Sequence, residues 1–209
     1  QLRSPQGEPI PNRDSLIYLG GLLSADGRPD SEVSRRIGIA KGGFRALSQF
    51  WAHAGISRKR KLELFNALVL SKLKYGLTTL WMVTAQRRRL DGFHARCLRK
   101  VFGIKAAFES QVSNKEMYKK AEAQPVSKQI LQSQLSLLGR VASSPADSIG
   151  RSLCFIGGSV IPQVGRYIRR VGRPRQDWTS EVLKAGLNTL GATDLKHLLQ
   201  TGEVKLASA

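Results

Sequence analysis

The sequence predicts a mainly α-helical protein, with a short strand or hairpin near the N-terminus, a helical bundle, and a basic C-terminal arm with short helices. From Asp30 onward, apolar residues recur at spacings of three and four, as on one face of a helix. Capping residues, glycines and prolines flank several of these segments. The apolar run at 15–24 differs, because Gly20-Gly21 interrupts it and Asp26-Gly27 closes it, which is typical of a strand or a tight strand pair.

The expected elements follow in order. Residues 1–14 contain three prolines and no periodicity, which predicts an extended lead-in before the strand. A helix then begins at Asp30 or Ser31 and carries a narrow apolar stripe formed by Val33, Ile37, Ala40, Phe44, Leu47 and Trp51.

A second helix is capped by Ser57, runs to about Lys74 and ends at Tyr75-Gly76. Its expected buried stripe is Leu62, Phe65, Leu68, Val69 and Leu73. Its first turn is made of four cations, Arg58, Lys59, Arg60 and Lys61. Cations at a helix N-terminus oppose the macrodipole, so an external anion is a physical reason for tolerating them.

The segment from Thr84, its expected cap, to the terminating Gly103 is the most informative about function. On a helical wheel its apolar residues fall on one half: Leu90, Phe93, Cys97, Leu98, Val101 and Phe102. Its cations fall on the other half: Arg88, Arg89, Arg96, Arg99 and Lys100. A solvated face normally mixes charge signs, but Asp91 is the only acid here, so the pattern favours a surface that meets a polyanion.

The C-terminal half predicts three kinds of segment. A capping box at 113–116 opens a short helix that reaches about Glu122, and residues 127–143 form an amphipathic helix. Residues 145–177, rich in Gly and Pro, predict a hinge and a basic arm, followed by short helices at 178–190 and 194–199. The expected divisions are therefore residues 1–28, a helical domain at 29–145, and the hinge, arm and terminal helices at 146–209.

The composition points to a polyanionic partner. The chain has 34 Lys plus Arg against 15 Asp plus Glu, a formal net charge of +19 in 209 residues. Such self-repulsion destabilises a compact state unless a polyanion is present, and nucleic acid is a more usual partner than an anionic membrane. A hydrophobic content of 41% is enough for one sizeable core. The chain begins with Gln, which we interpret as a sign of a fragment of a longer protein.

The sequence offers no catalytic centre. Metal-dependent polymerases and nucleases need clustered carboxylates, but none of the seven aspartates is adjacent to another. Cys97 and Cys154 are the only cysteines and lack metal-ligand spacing, and Cys97 is expected to be a small buried apolar residue. We therefore expect neither a catalytic residue nor a bound metal or cofactor in this chain.

The basic arm allows two interpretations. Residues 171–175 read VGRPR, a proline-stiffened segment of the kind that lies in an AT-rich minor groove. It can equally be a solvated loop that contacts phosphate. The arm contributes the candidate nucleic-acid-binding residues Arg169, Arg170, Arg173 and Arg175.

Seven motifs in order, over about residues 15–180, resemble the end of the reverse transcriptase in LINE-type (non-LTR) retrotransposon polyproteins. They are Tyr18-Leu19-Gly20 with Asp26-Gly27; EVSRRI at 32–37; the segment from Lys61-Leu62 to Tyr75-Gly76; the segment from Arg88 to Ile104; SNKE at 113–116; LLGRV at 137–141; and GRPRQDW at 172–178. The chain departs from the family at 106–108, where many members have a Trp.

The resemblance implies an RNA-directed DNA polymerase whose catalytic palm, with its aspartates and Mg²⁺, lies upstream of this chain. Tyr18, Leu19 and Gly20 would belong to the primer grip, and the helices from Asp30 to about Ser143 would form the thumb. The implied partners are the RNA/DNA template–primer and the upstream palm and fingers, and the implied location is intracellular and nuclear.

Two other functions remain open from the residues. One is a non-enzymatic DNA-binding protein that uses the basic arm in a minor groove. The other is a structural RNA-binding protein of ribosomal type.

Overall fold

The structure, a computed structural model, describes residues 5–7, 13–53, 55–157, 159–163 and 177–190. It confirms the predicted fold class, since a short antiparallel hairpin precedes a largely helical chain. The strands are β1 (Ser15–Tyr18) and β2 (Gly21–Ser24). The α-helices are α1 (Asp30–Ala46), α2 (Ser48–Ala52), α3 (Arg58–Phe65), α4 (Ser71–Lys74), α5 (Thr84–Phe102), α6 (Ala107–Ser110), α7 (Asn114–Lys120), α8 (Val126–Ala142), α9 (Ile149–Cys154) and α10 (Trp178–Leu190). A π-helical segment (Asn66–Leu70) joins α3 to α4, and a 3-10 turn (Leu77–Thr79) follows α4.

The apolar run at 15–24 is the tight strand pair, not a single strand. Ser15 pairs with Ser24 and Tyr18 with Gly21, which leaves Leu19 and Gly20 as a two-residue loop. Both loop residues have positive φ, +46° and +74°, as a two-residue loop of type I′ requires. Five large apolar side chains of the hairpin are exposed: Leu16, Ile17, Tyr18, Leu19 and Leu23.

The predicted helix from Asp30 to Trp51 divides into α1 and α2. The helix breaks at Leu47, whose φ and ψ are −100° and 21°. The break turns the chain so that the Trp51 ring stacks on Phe44 at a centroid distance of 5.0 Å. The Trp51 indole Nε1–H also donates a hydrogen bond of 2.8 Å to the Phe44 carbonyl, so the indole is buried with its polar group satisfied.

The helix predicted from Ser57 to Lys74 is present, but its apolar stripe changes course. Ser57 caps it, its Oγ accepting a hydrogen bond from the Arg60 N–H. The π-helical segment adds one residue to a turn, which rotates the following residues around the axis. Leu70 is buried as a result, and Leu68, predicted in the stripe, is 42% exposed.

Of the three helix ends predicted for α5 and α7, one is wrong and two are confirmed. Thr84 is the first residue of α5 and not its cap; Val83 occupies that position, and its N–H donates to Gln86 Oε1 at 2.9 Å. Gly103 ends α5 with φ +67°, as predicted. The Ser113–Glu116 capping box is also confirmed, with hydrogen bonds of 2.8 and 3.2 Å.

Two clusters of buried side chains hold the helices together. The larger one joins α1, α2, the segment from α3 to α4, α5 and α7 to the beginning of α8. The smaller one joins the second half of α8 to α10 and to Phe155, which follows α9. α9 lies inside the segment predicted as a hinge, and α9 and α10 both pack on α8 across the predicted boundary at residue 145. The predicted helix at 194–199 lies outside the described residues.

The close packing of α10 on α8 predicts opposite effects for two alanine substitutions. A Cβ at Gly186 would lie 2.8 Å from Leu135 Cδ2, whereas a Cβ at Gly139 would have no heavy atom within 4 Å. We expect Gly186→Ala to lower the free energy of unfolding by about 1 kcal/mol, because overpacking against the buried Leu135 side chain outweighs the gain in backbone entropy. Gly139→Ala should raise it by about 0.5–1 kcal/mol, because alanine loses less backbone entropy in a helix. Urea denaturation measures both; a gain in stability for Gly186→Ala would contradict the close approach of the two helices.

Candidate nucleic-acid interface

The exposed side of α5 carries four cations, Arg88, Arg89, Arg96 and Lys100. The opposite side is buried as predicted through Leu90, Phe93, Cys97, Leu98 and Val101. None of the four cations forms an ion pair within the part of the chain that the structure describes. They therefore form a row of uncompensated positive charge on a helix whose orientation is fixed by the core.

The single acid of α5 does not neutralise this row, because α8 uses it. Asp91 Oδ1 accepts a hydrogen bond of 2.9 Å from the Ser127 N–H, and Asp91 Oδ2 accepts one of 2.6 Å from the Ser127 hydroxyl. Asp91 thus caps the first turn of α8, which has no side-chain cap of its own. Its carboxylate points towards α8 and leaves the exposed row without an acid.

Arg99 is a correction to the predicted interface. It is 5% exposed, and its guanidinium donates to the Lys105 and Val112 carbonyls at 3.1 and 2.6 Å and to Asn114 Oδ1 at 3.1 Å. The loop after α5 folds over the guanidinium, whose hydrogen bonds satisfy the carbonyls of that loop. Arg99 holds this loop in place and does not face a phosphate.

Lys61 is a second correction. It is 7% exposed, and its Nζ donates a hydrogen bond of 2.7 Å to the Trp51 carbonyl, which fastens α3 to the end of α2. Arg58, Lys59 and Arg60 are exposed as predicted, and Arg60 pairs with Glu63 at 3.1 Å. The first turn of α3 therefore offers three cations to solvent, one of them partly compensated.

A buried acid fixes the hairpin to α1. Glu32, 2% exposed, pairs with Arg35 Nε at 2.7 Å and with Arg36 Nε at 2.6 Å, and accepts a hydrogen bond of 3.0 Å from the Leu22 N–H. Burial by itself would raise the pKa of Glu32, but these hydrogen bonds hold it below its usual value. Glu32 therefore stays ionised and joins β2 to α1.

The hairpin tip is held by its backbone. The Leu19 carbonyl accepts a hydrogen bond of 2.9 Å from the Tyr75 hydroxyl, and the Gly20 carbonyl accepts from the guanidinium groups of Arg35 and Arg36. Arg36 also lies over the Tyr75 ring, 4.4 Å from its centroid. The Leu19 and Gly20 carbonyls of the predicted primer-grip tripeptide are thus occupied, and the side chains of Tyr18 and Leu19 remain exposed.

The same helix, α1, connects the tip to the cations of α5. Arg89 Nη2 donates a hydrogen bond of 2.8 Å to Ser34 Oγ, one residue before the arginines that hold the tip. Lys41 and Arg45, seven and eleven residues after Ser34, lie on the same exposed side of α1. Sequence reasoning missed these two cations, although their helical spacing from Ser34 could have indicated them. We name the set Arg88, Arg89, Arg96, Lys100, Lys41 and Arg45 the α1–α5 basic surface.

The remaining predicted binding residues, Arg169, Arg170, Arg173 and Arg175, lie outside the described residues. Within residues 13–53, 55–157, 159–163 and 177–190, no group of three or more His, Cys, Asp or Glu side chains could hold a metal ion. In these ranges no helix is long and apolar enough to cross a membrane.

Two titratable groups on the buried side of α5 are held uncharged. Burial raises the pKa of the Cys97 thiol to about 12, so this buried cysteine has no thiolate character at neutral pH. Burial, together with the nearby charge of Lys74, lowers the pKa of His94 to about 4. Neither of these two groups therefore adds a charge to the side of α5 that packs on the hydrophobic core.

Comparison with known proteins adds no relative: no family model, curated protein or solved structure matches this chain.

Proposed function

We propose that this chain is the thumb and C-terminal region of a non-LTR retrotransposon reverse transcriptase, and that it binds template–primer nucleic acid across the α1–α5 basic surface. The proposal rests on one observation: the hairpin tip and the cation row of α5 are both attached to α1. The first three turns of α1 hold the hairpin tip through Arg35 and Arg36 and hold the cation row of α5 through Arg89. A duplex lying on the cations would have its strand end beside the hairpin.

The charge of the surface supports the same proposal. Its cations have no ion-pair partner among the described residues, so binding a phosphate does not require breaking an internal salt bridge. Phosphate contacts of this kind position a duplex without reading its sequence. That is what a polymerase needs, because its template changes at every step.

The Mg²⁺ ions of the polymerase reaction do not fit the carboxylates of this chain that the structure describes. Asp26 lies in a turn beside Arg28, Glu32 is paired with two arginines, and Asp91 caps α8. In the proposed function this chain positions the nucleic acid, and the palm that the family resemblance implies would supply the chemistry.

A salt titration with matched triple variants tests the proposal. An RNA/DNA primer–template should bind the unaltered chain with an affinity that falls by about 10³ to 10⁵ between 50 and 200 mM salt, if six to ten phosphates are neutralised. We expect Arg89→Ala/Arg96→Ala/Lys100→Ala to reduce the slope of log K against log salt by about three. The control is Lys119→Ala/Lys120→Ala/Lys128→Ala, which removes the same charge from exposed positions on α7 and α8.

Fluorescence anisotropy measures both slopes. An equal loss of slope in the two triple variants would mean diffuse attraction to net charge, and the proposal would fail. A deletion of residues 166–176 distinguishes the proposal from a non-enzymatic DNA-binding protein that uses the basic arm. A protein that binds through a minor-groove arm would lose its affinity for nucleic acid, whereas a thumb would keep most of it. This deletion leaves Asp177, whose carboxylate caps α10 by accepting from the Ser180 N–H at 3.0 Å.

A further inference from the structure

A polar pocket lies on the side of α5 away from the basic surface. It is a cavity of about 470 Å³ between the π-helical segment, the beginning of α8 and the loop that precedes α8. Its lining includes the amides of Asn66, Gln124 and Gln132 and the Lys74 ammonium group. A second cavity of about 560 Å³ continues along α8 towards Arg140, and Lys74, Gln129 and Gln132 line both cavities. Their volumes are those of small-molecule sites.

A buried imidazole without a hydrogen-bond partner lines this pocket. His94 is 1% exposed, and neither ring nitrogen has a partner among the described residues. Phe65 stacks on the ring at a centroid distance of 5.7 Å with an interplanar angle of 6°, and Tyr118 lies 5.4 Å away. Because these rings flank the imidazole and both ring nitrogens are closed to solvent, a ligand bonds to them only at the ring edge and only after a neighbouring side chain moves. An unsatisfied buried polar group is costly, and a ligand or water that bonds to it removes that cost.

One wall of the pocket is formed by the π-helical segment. The π-helical segment Asn66–Leu70 places Asn66 at the pocket, and segments of this kind are frequent at functional sites. Lys74, on the helix that follows, donates from Nζ to Gln129 Oε1 at 3.1 Å, which holds the ammonium group where the two cavities meet. The pocket thus combines several side-chain amides, one neutral imidazole, the Lys74 ammonium group and the carboxylate of Glu122.

This combination of groups selects a ligand class. Each amide offers a donor and an acceptor, and a neutral imidazole offers one of each, which suits the mixed donor and acceptor edge of a nucleobase. An ammonium group at the junction of the cavities suits a phosphate. From this arrangement we infer that the pocket binds a nucleoside monophosphate group, with the base against His94 and the amides and the phosphate on Lys74.

The ligand can be a free nucleotide or an unpaired nucleotide of a bound strand, because both present the same base and phosphate groups to the pocket. The pocket does not depend on the proposed function. His94 lies about 160° around α5 from Arg96, at 100° per residue, so a duplex on the basic surface and a nucleotide in the pocket would occupy different sides of the helix.

Calorimetric titration of the full chain with AMP, CMP, GMP and UMP tests the inference, with ribose 5-phosphate as the probe that lacks a base. At least one nucleotide should bind ten times more tightly than ribose 5-phosphate and should shift the NMR signal of the His94 ring. Lys74→Ala should raise Kd about tenfold or more through loss of a charged hydrogen bond. Lys72→Ala is the matched control: it removes the same charge two residues away, where Lys72 Nζ lies 3.5 Å from the position of a Gly43 Cβ, outside the pocket.

Gln132→Leu removes an amide and keeps the side chain nearly the same size. It should weaken the binding of the nucleotide but not the binding of ribose 5-phosphate. The inference is overturned if no nucleotide binds more tightly than ribose 5-phosphate, or if the Lys72 and Lys74 variants lose affinity equally. An RNA hexamer that displaces the nucleotide identifies the strand as the source, and a hexamer that leaves it bound identifies a free nucleotide. The triple variant of α5 should bind the nucleotide unchanged, so this result is independent of duplex binding.

Discussion

Arg99→Ala is expected to lower the free energy of unfolding by about 3 kcal/mol, although it removes only one of many arginines. The substitution leaves the carbonyls of Lys105 and Val112 and the Asn114 amide without the guanidinium that now bonds them. Hydrogen bonds to a charged group contribute about 1.5–3 kcal/mol each, and their losses at one site do not add fully. Urea denaturation followed by circular dichroism measures the effect.

Arg96→Ala is the matched control for this experiment. Arg96 lies on the same helix, three residues earlier, and is exposed. Its loss should change the free energy of unfolding by no more than about 0.5 kcal/mol. Equal stabilities of the two variants would show that Arg99 does not hold the loop. Arg99 would then again be a candidate for phosphate contact.

The second large effect is a loss of stability in mild acid that depends on His94. Burial, with a contribution from the charge of Lys74, lowers the pKa of His94 to about 4, whereas the pKa of the imidazole in the unfolded chain stays near its ordinary value of 6.5. Between these values the unfolded chain binds a proton that the folded chain excludes, so stability is complete above pH 6.5 and falls as the pH decreases towards 4. A difference of this size corresponds to about 3 kcal/mol at 1.36 kcal/mol per pH unit.

His94→Phe isolates this contribution, because phenylalanine keeps the stacking on Phe65 and cannot be protonated. The unaltered chain and the variant share all their carboxyl groups and the two other histidines. The difference between their unfolding free energies should therefore change by about 3 kcal/mol from pH 7.5 to pH 4. If the two chains lose stability in parallel, the imidazole is already charged or solvated in the folded state.

The contrast between Arg96 and Arg99 shows what the sequence could and could not reveal about the site. The wheel of α5 correctly separated the core side from the charged side, because burial of apolar residues imposes the helical period on the sequence. Arg99 falls within the charged arc of that wheel. Its burial depends on the loop at 105–114 folding over it, and a periodicity within one helix contains no information about a later loop. Lys61 was misassigned for the same reason, since its partner is a carbonyl ten residues earlier.

Other features were missed because they arise from packing. The π-helical segment places Leu68 on the exposed side and Leu70 in the core. Both residues are leucines, so the sequence does not indicate which of them is buried. α9 lies in a segment whose glycines and prolines predict a hinge, yet Ser148 caps it, its Oγ accepting from the Arg151 N–H. By contrast, α8 and α10 were placed to within one residue at their ends, because a long amphipathic period and a clear cap or break define each of them.

The position of α8 in both hydrophobic clusters determines where the chain can be shortened. A protein cut at residue 145, where the composition changes, would keep the whole of α8 but lose the layer that covers its second half. Leu135, Leu138 and Ala142 would then face water, together with the side of Trp81 that packs there. A piece that extends to the end of α10 at residue 190 keeps both clusters covered, so we expect the helices of the two clusters to unfold together in one cooperative transition.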